Sequence, residues 1–370
     1  MRRTIIHASQ VISTRSQRLL AYSCRHLEER WWRYYPTGVT NRSSTNRAGA
    51  AAKRVRNGSR LAKRDQDVAL RAPARRELVA LLQRRTGSEG QNETAIPALK
   101  FYRYSQPTEP ANVLMEPAVY VVVQGRKRVS VGGKSYIYDP SRYLAVSVDL
   151  PAVGYVLEAS PEEPYLCMTL AVDPRDLAAL IVETARQAPH DDHDGRALYV
   201  SALRDPLRDG LLRLVRLLDT PQDIPVLAPL ILREINYRLL DSEQFGRLAQ
   251  MAIGDGRLRR ISGAIGWIKD HFREPLEIQV LARHVNMSPS ALHHYFKTVA
   301  AISPVQYQKR LRLEEARRQL LSGALSAEVI AREVGYESAS QFSREYARLF
   351  GQPPRRDAQR LRRDLERADA

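Results

Sequence analysis

The chain has 370 residues, 44% of them hydrophobic, which is enough for two or three domains at about 150 residues each. No apolar run reaches the roughly 18 residues that a membrane-spanning helix needs, so we expect no membrane partner. The two cysteines, Cys24 and Cys167, form neither a disulfide framework nor a zinc cluster, which suits a reducing compartment.

The net charge of +17 is distributed unevenly along the chain. Residues 1–64 carry +13, residues 65–256 carry −4 and residues 257–370 carry +8. A basic carboxyl end beside a slightly acidic middle indicates a segment that binds nucleic acid.

The first 73 residues are basic and lack sustained helical or strand periodicity. We expect a disordered extension there. Three alternatives remain: translation starts further downstream so that this segment is not made, the segment is a nucleic-acid-binding arm, or it is a targeting segment. The pattern then predicts a short helix over residues 74–86, with Leu78, Leu81 and Leu82 on one side.

Short segments of β-forming residues recur from residue 99 to 172. Gly132-Gly133 separates two of them and predicts a hairpin, because glycine accepts the positive φ of tight turns. Six or more short strands with turn signals predict a small barrel or sandwich. The predicted strands include residues 118–124, 128–131, 134–138, 143–148, 155–159 and 165–172.

Residues 174–250 are predicted to be helical, with Asp173 as the first N-cap. An apolar stripe between Leu227 and Leu240 fits either an internal core or a dimer face, and both interpretations stay open. The best linker candidate is 254–256. Seven helices are predicted after it, over residues 258–273, 277–285, 289–299, 304–322, 326–334, 338–350 and 354–368.

An internal repeat is the most informative feature of the sequence. Residues 281–287, LARHVNM, recur as residues 330–336, IAREVGY, at an offset of 49. Residues 288–296 then match residues 338–346 at an offset of 50, because the second turn is one residue longer. Each copy is typical of a helix–turn–helix unit.

Three positions in each copy carry this interpretation. A small residue lies where two helices would cross closely, the turn residue tolerates positive φ, and a serine caps the second helix. In chain order these residues are Ala282, Asn286 and Ser288 in the first copy, and Ala331, Gly335 and Ser338 in the second.

The outward face of each second helix is polar and suits the major groove of double-stranded DNA. Arg344 could pair bidentately with guanine and Gln341 with adenine, whereas Lys297 could hold a phosphate. Residues 304–322 would form a rod of roughly 28 Å between the units, close to the roughly 34 Å of one DNA turn. A helical protein-binding module remains the alternative. The candidate DNA-binding residues are Ser290, His293, His294, Lys297, Ser340, Gln341 and Arg344.

At these residues the chain resembles the AraC/XylS family of bacterial transcription regulators. The resemblance lies on MSPSALHHYFKTVAAISPVQYQKRLRLEEARRQLL and VGYESASQFSREYARLFGQPP. It implies two units that bind adjacent major-groove segments. The chain departs from the family at His293-His294, where basic or amide residues are common, and at Ala301, where glycine is usual.

The β region, EPAVYVVVQGRKRVSVGGKSYIYDPSRYLAVSVDLP, is similar to the cupin-like sensor domain of one branch of that family. The resemblance implies a small barrel whose natural ligand is often unknown. We therefore expect a cytoplasmic bacterial regulator whose partners are promoter DNA, RNA polymerase, an unidentified small effector and a second copy of the chain.

The barrel is expected to lack a metal, a cofactor and enzymatic activity. Cupin metal sites use histidines, and residues 27–189 contain none. Tyr120, Tyr136 and Cys167 are the candidate ligand-binding residues, with simple core packing as the alternative. The stretch 190–194, HDDHD, fits an exposed loop better than a metal site.

The predicted fold class is α+β, with four segments. These are a basic extension over 1–73, a cupin-like sensor domain over 74–180, a helical linker and dimerisation region over 181–256, and a double helix–turn–helix domain over 257–370. The expected function is sequence-specific, effector-responsive regulation of transcription. A constitutive regulator with a purely structural barrel and a cupin-fold enzyme are the alternatives.

Overall fold

A computed structural model of the chain describes residues 73–184, 197–242, 249, 256–322 and 325–368. The predictions for residues 1–72, for Cys24, for the stretch 190–194 and for most of the linker at 254–256 lie outside the described residues. Within them, no helix is both long and apolar enough to cross a bilayer.

Ten strands form two antiparallel sheets in the amino-terminal half. The six-stranded sheet has the order β1-β2-β9-β4-β7-β10, and the four-stranded sheet has the order β3-β8-β5-β6. These two sheets are separate in the described part of the chain, so the predicted barrel is an open sandwich. The strands are β1 (Gly90–Glu93), β2 (Leu99–Tyr104), β3 (Ala111–Met115), β4 (Ala118–Gln124), β5 (Arg126–Val131), β6 (Lys134–Tyr138), β7 (Arg142–Val146), β8 (Leu150–Glu158), β9 (Tyr165–Ala171) and β10 (Leu198–Ala202).

The predicted hairpin at Gly132-Gly133 is confirmed. Lys127 of β5 lies opposite Tyr138 of β6, and Val131 lies opposite Lys134. Both glycines have positive φ, 56° and 79°, as a tight hairpin turn requires.

Strand β10 corrects a prediction, because its residues were expected to be helical. It pairs antiparallel with β7, with Leu198 opposite Val146. Strand β10 is therefore the last strand at one edge of the six-stranded sheet. Leu198 and Tyr199 are both buried although β10 is an edge strand, because Leu198 packs in the cluster between the sheets and Tyr199 packs in the cluster under the helices. Pairing and packing therefore make residues 198–202 a strand, although the flanking sequence has a helical pattern.

Helices cover the outer face of the six-stranded sheet. They are α1 over residues 73–85, α2 (Pro174–Glu183), α3 (Asp205–Arg216) and α4 (Ile224–Leu240). The prediction for α1 is confirmed, since Leu78, Leu81 and Leu82 are buried in a shared core with β2, β4 and β9.

The apolar stripe of α4 divides into two parts. Ile235, Leu239 and Leu240 are buried in the core. Val226 and Leu230 lie on the surface, 66% and 61% exposed.

Seven helices form the carboxyl-terminal domain, close to their predicted bounds. They are α5 (Arg257–Asp270), α6 (Ile278–His284), α7 (Pro289–Ala300), α8 (Pro304–Ser322), α9 (Ala327–Glu333), α10 (Ala339–Phe350) and α11 (Pro354–Ala368).

The two halves of this domain have different cores. Helices α5, α6 and α7 share one continuous apolar cluster with the inner face of the sandwich, through residues such as Ile265, Leu281 and Phe296. Helices α9, α10 and α11 pack with the end of α8 around a second, separate cluster that contains Phe342 and Tyr346.

Candidate nucleic-acid interface

Helices α6 and α7 form the first helix–turn–helix unit. The amide of Met287 donates to the carbonyl of Ala282 at 2.9 Å, across a turn in which Asn286 has φ of 53°. The Ser288 hydroxyl accepts a hydrogen bond from the amide of Ala291 at 3.2 Å and caps α7.

Helices α9 and α10 repeat this geometry in the second unit. The amide of Tyr336 donates to the carbonyl of Ala331 at 2.8 Å, and Gly335 has φ of 90°. The Ser338 hydroxyl accepts from the amide of Gln341 at 3.2 Å and caps α10. The sequence repeat is therefore a repeat of hydrogen bonds, and both predicted caps are confirmed.

Each second helix buries one face and exposes the other. Leu292 and Phe296 are buried under α7, and Phe342 and Tyr346 are buried under α10. The seven candidate DNA-binding residues are all exposed, as a base-reading face requires. Their contact with DNA stays a prediction. They are Ser290, His293, His294 and Lys297 on α7, and Ser340, Gln341 and Arg344 on α10.

Glu345 organises the exposed face of α10. Its carboxylate accepts hydrogen bonds from Lys309 Nζ at 2.7 Å, from Tyr336 Oη at 2.8 Å and from Gln341 Nε2 at 3.2 Å. Burial alone would raise the pKa of Glu345, but these hydrogen bonds lower it below its usual range. The ionised carboxylate therefore holds Gln341 beside Arg344.

Arg312 on α8 ties the two units together. Its guanidinium donates to the carbonyls of Phe272 at 2.6 Å, Arg273 at 3.2 Å and Glu274 at 2.8 Å, just beyond α5. It also donates to the carbonyl of Gly335 at 2.6 Å, in the turn of the second unit. We call this contact of Arg312, residues 272–274 and Gly335 the inter-unit junction. It links the segment that leads into the first unit to the turn of the second unit.

The sandwich contacts both units. Lys269 of α5 donates to Asp149 at 2.9 Å, and Arg310 of α8 donates to the carbonyl of Ala152 at 3.2 Å. Asn112 on β3 accepts a further hydrogen bond from Arg310 and donates to the carbonyl of Leu349 in α10 at 3.4 Å. These contacts leave the exposed faces of α7 and α10 uncovered.

Ala301 ends α7 in the left-handed conformation, with φ of 63°. This conformation is strained for alanine, which explains why glycine suits this position. The tip of the β5–β6 hairpin lies against it, since a Cβ atom added to Gly132 would approach the Ala301 Cβ to 2.3 Å.

The variant Ala301→Gly is expected to raise the free energy of unfolding by about 1 kcal/mol, because glycine adopts positive φ without steric strain. Urea denaturation of the full chain measures this change. The control Ala291→Gly, inside α7, should instead lose about 1 kcal/mol through lower helix propensity. A less stable Ala301→Gly protein would contradict the assignment of strain.

The three candidate ligand-binding residues lie in the apolar cluster between the two sheets. Cys167 is buried, and burial raises the pKa of its thiol. The hydroxyl of Tyr120 donates to the carbonyl of Glu116 at 2.9 Å, and Tyr136 is half-buried. Their role in ligand binding stays a prediction. Among the described residues, no three histidine, cysteine or acidic side chains converge as metal ligands.

Fold and interface together define a two-domain protein with a β-sandwich and a tandem helix–turn–helix domain. The family model described as AraC-type transcriptional regulator N-terminus matches residues 95–247, and a helix-turn-helix domain model matches residues 281–360. The two parts of the chain are therefore similar to the amino-terminal domain and the helix-turn-helix domain of AraC-type transcriptional regulators.

Two curated relatives give the range of similarity. The transcriptional activator RhaS of Escherichia fergusonii is 33% identical over 96 residues, which is 26% of this chain and 34% of RhaS. The raffinose operon regulator RafR of Pediococcus pentosaceus is 33% identical over 91 residues, which is 25% of this chain and 33% of RafR. The chain therefore matches about a third of the length of these relatives.

Among solved structures, apo ToxT from Vibrio cholerae strain SCE256 aligns with 74% of this chain and 98% of its own, at 11% identity and a TM-score of 0.48.

Proposed function

We propose that this protein is a sequence-specific DNA-binding regulator of transcription that responds to a small effector bound in the sandwich. The observation that carries the proposal is the tandem pair of exposed, polar recognition helices held by the inter-unit junction. The names of the relatives, an activator and an operon regulator, support the same function. The proposed setting is the bacterial cytoplasm, at promoters where RNA polymerase acts.

In this proposal, α10 contacts base edges and Lys297 of α7 contacts a phosphate. Arg344 is exposed on α10 beside the oriented Gln341, so the pair can reach base edges in the major groove. Lys297 lies near the end of α7, where a point charge suits phosphate.

Homodimerisation is part of the proposal. Val226, Leu227 and Leu230 expose apolar side chains on α4, by 66%, 41% and 61%. A second copy of the chain would bury them against the same face, as a two-fold dimer requires.

The variant Arg344→Ala is expected to weaken binding to the preferred site by about 1–3 kcal/mol, roughly fivefold to 150-fold, and to leave binding to random DNA nearly unchanged. The preferred site is first selected from fragments of a bacterial genome with the full chain. Fluorescence anisotropy over a series of salt concentrations then measures both affinities.

Two further variants complete the experiment. Lys297→Ala should weaken all sequences alike and reduce the salt slope by about 1, since it removes one phosphate contact. The matched control is Arg332→Ala, an exposed arginine on α9, which should change neither affinity. If Arg344→Ala and Lys297→Ala weaken preferred and random DNA equally, the assigned roles are wrong. If the unmodified chain selects no sequence, the proposed function is wrong.

A further inference from the structure

The space between the two sheets holds buried tyrosine hydroxyl groups. Tyr138 on β6 and Tyr165 on β9 are both 0% exposed. Neither hydroxyl completes a hydrogen bond of good geometry in the described part of the chain, although the two hydroxyls interact with each other and that of Tyr165 also interacts with the Cys167 thiol. Buried polar groups are normally satisfied, so two such hydroxyls in one interior are candidates for binding a ligand.

Lys127 extends into the same interior from β5. Side chains alternate along a strand, so Lys127 shares its face with Val129, which is fully buried between the sheets. Its stem passes over Gly154 on β8, where an added Cβ would lie 3.6 Å from Lys127 Cε. Its ammonium lies 5.9 Å from the centre of the Tyr165 ring.

Lys127 differs from the cations beside it. Arg126 forms an ion pair with Glu158 at 3.3 Å, and Arg128 donates to the hydroxyl of Tyr155 at 2.8 Å. No acid or hydrogen-bond acceptor of the described residues pairs with the Lys127 ammonium. Burial lowers the pKa of this ammonium, as expected for a charge that has no compensating anion.

The Lys127 ammonium and the hydroxyls of Tyr138 and Tyr165 together suit a ligand that carries a carboxylate. An ammonium can only donate hydrogen bonds, and the two hydroxyls can donate with it. A carboxylate accepts from all three and neutralises the charge. Tyr104, whose ring lies 6.2 Å from that of Tyr165, and Tyr102 supply aromatic surface for the body of such a molecule.

We propose that the interior of the sandwich binds a small organic acid, with its carboxylate at Lys127, Tyr138 and Tyr165 and its apolar body against the neighbouring tyrosines. This inference rests on the proposed function, because it names the chemical class of the effector. Lys127 is half-buried, so part of its side chain is accessible from solvent.

The test compares acids with their neutral amides on the full chain. The probes are 3-phenylpropanoate and octanoate with 3-phenylpropanamide and octanamide, and calorimetric titration measures their affinities. We expect at least one acid to bind at least tenfold more tightly than its amide. Lys127→Met keeps the length of the stem and removes the charge, so it should reduce the affinity of that acid at least tenfold.

Tyr165→Phe adds a readout that a structural role would not give. Removing an unsatisfied buried hydroxyl should leave the melting temperature of the free protein unchanged or higher, while it weakens binding of the acid. Arg175→Gln is the matched control, because Arg175 is an exposed cation on the open groove of about 770 Å³ between α2 and α5. It should leave the affinity of the acid unchanged.

Three outcomes would overturn the proposal: no acid binds, acid and amide bind equally, or Lys127→Met retains full affinity. A loss of affinity in Arg175→Gln alone would place the acid in the groove and also overturn it. The selection of DNA by the full chain tests the proposed function separately. A chain that selects DNA but discriminates no acid refutes only this inference, and a chain that selects none refutes the proposed function.

Discussion

Replacing Asp357 by alanine is expected to destabilise the second helix–turn–helix unit by about 3–5 kcal/mol, because it leaves a buried arginine without its counter-charge. Arg317 Nε donates to Asp357 Oδ2 at 2.9 Å, and the two side chains are 2% and 0% exposed. The hydroxyl of Tyr346 donates to the same carboxylate oxygen at 2.9 Å, and Arg360 donates to the other at 2.7 Å. One carboxylate thus joins α8, α10 and α11.

Hydrogen exchange of the α10 amides measures this loss locally, and urea denaturation measures it for the whole chain. The exposed Glu337→Ala serves as control and should change stability by less than about 0.5 kcal/mol. The double variant Arg317→Met/Asp357→Leu removes both charges together and should recover most of the stability. An Asp357→Ala protein within 1 kcal/mol of the unmodified chain would contradict this account.

Gly335→Ala is expected to cost about 3 kcal/mol and to lower DNA affinity through the inter-unit junction. The residue has φ of 90°, and an added Cβ would lie 2.1 Å from the carbonyl oxygen of Arg273. That oxygen accepts from Arg312, so the methyl group must push apart the contact that links the two units. The free energy of unfolding and the affinity for the selected DNA site measure the two effects.

The first unit offers a matched control for Gly335. Asn286 occupies the equivalent turn position, with φ of 53°, and already carries a side chain. Asn286→Ala therefore tests the cost of alanine at positive φ without a collision, and should destabilise by about 1 kcal/mol. If Gly335→Ala costs no more than Asn286→Ala, the close approach at the junction has no energetic role.

The helix–turn–helix units could be predicted from the sequence because their determinants are local. Serine caps, a turn residue at positive φ and a small residue at the crossing act within a few positions of one another. The repeat then gave each motif a second, independent occurrence. This explains why Ser288, Ser338, Asn286 and Gly335 have the predicted geometry.

The contacts that join distant elements could not be predicted in this way. Strand β10 forms because it pairs with β7, more than fifty residues earlier, and that pairing is invisible to local periodicity. Arg312 has no motif that separates it from neighbouring surface arginines, although it makes the inter-unit junction. The inward direction of Lys127 can be predicted, because alternation in RKRVSV places Lys127 on the same face of β5 as Val129.

The two helix–turn–helix units pack on different apolar cores, so a change in the packing of the sandwich affects their stability unequally. Helices α5–α7 belong to the same cluster as the inner sandwich, so looser packing between the sheets weakens the support of α7 as well. Helix α10 packs on a separate apolar cluster and is held by the carboxylate of Asp357, so it shares no apolar core with the sandwich. A change in the packing between the sheets therefore acts on α7 through a shared apolar core, whereas it acts on α10 through the hydrogen bonds of Asn112 with Leu349 and Arg310.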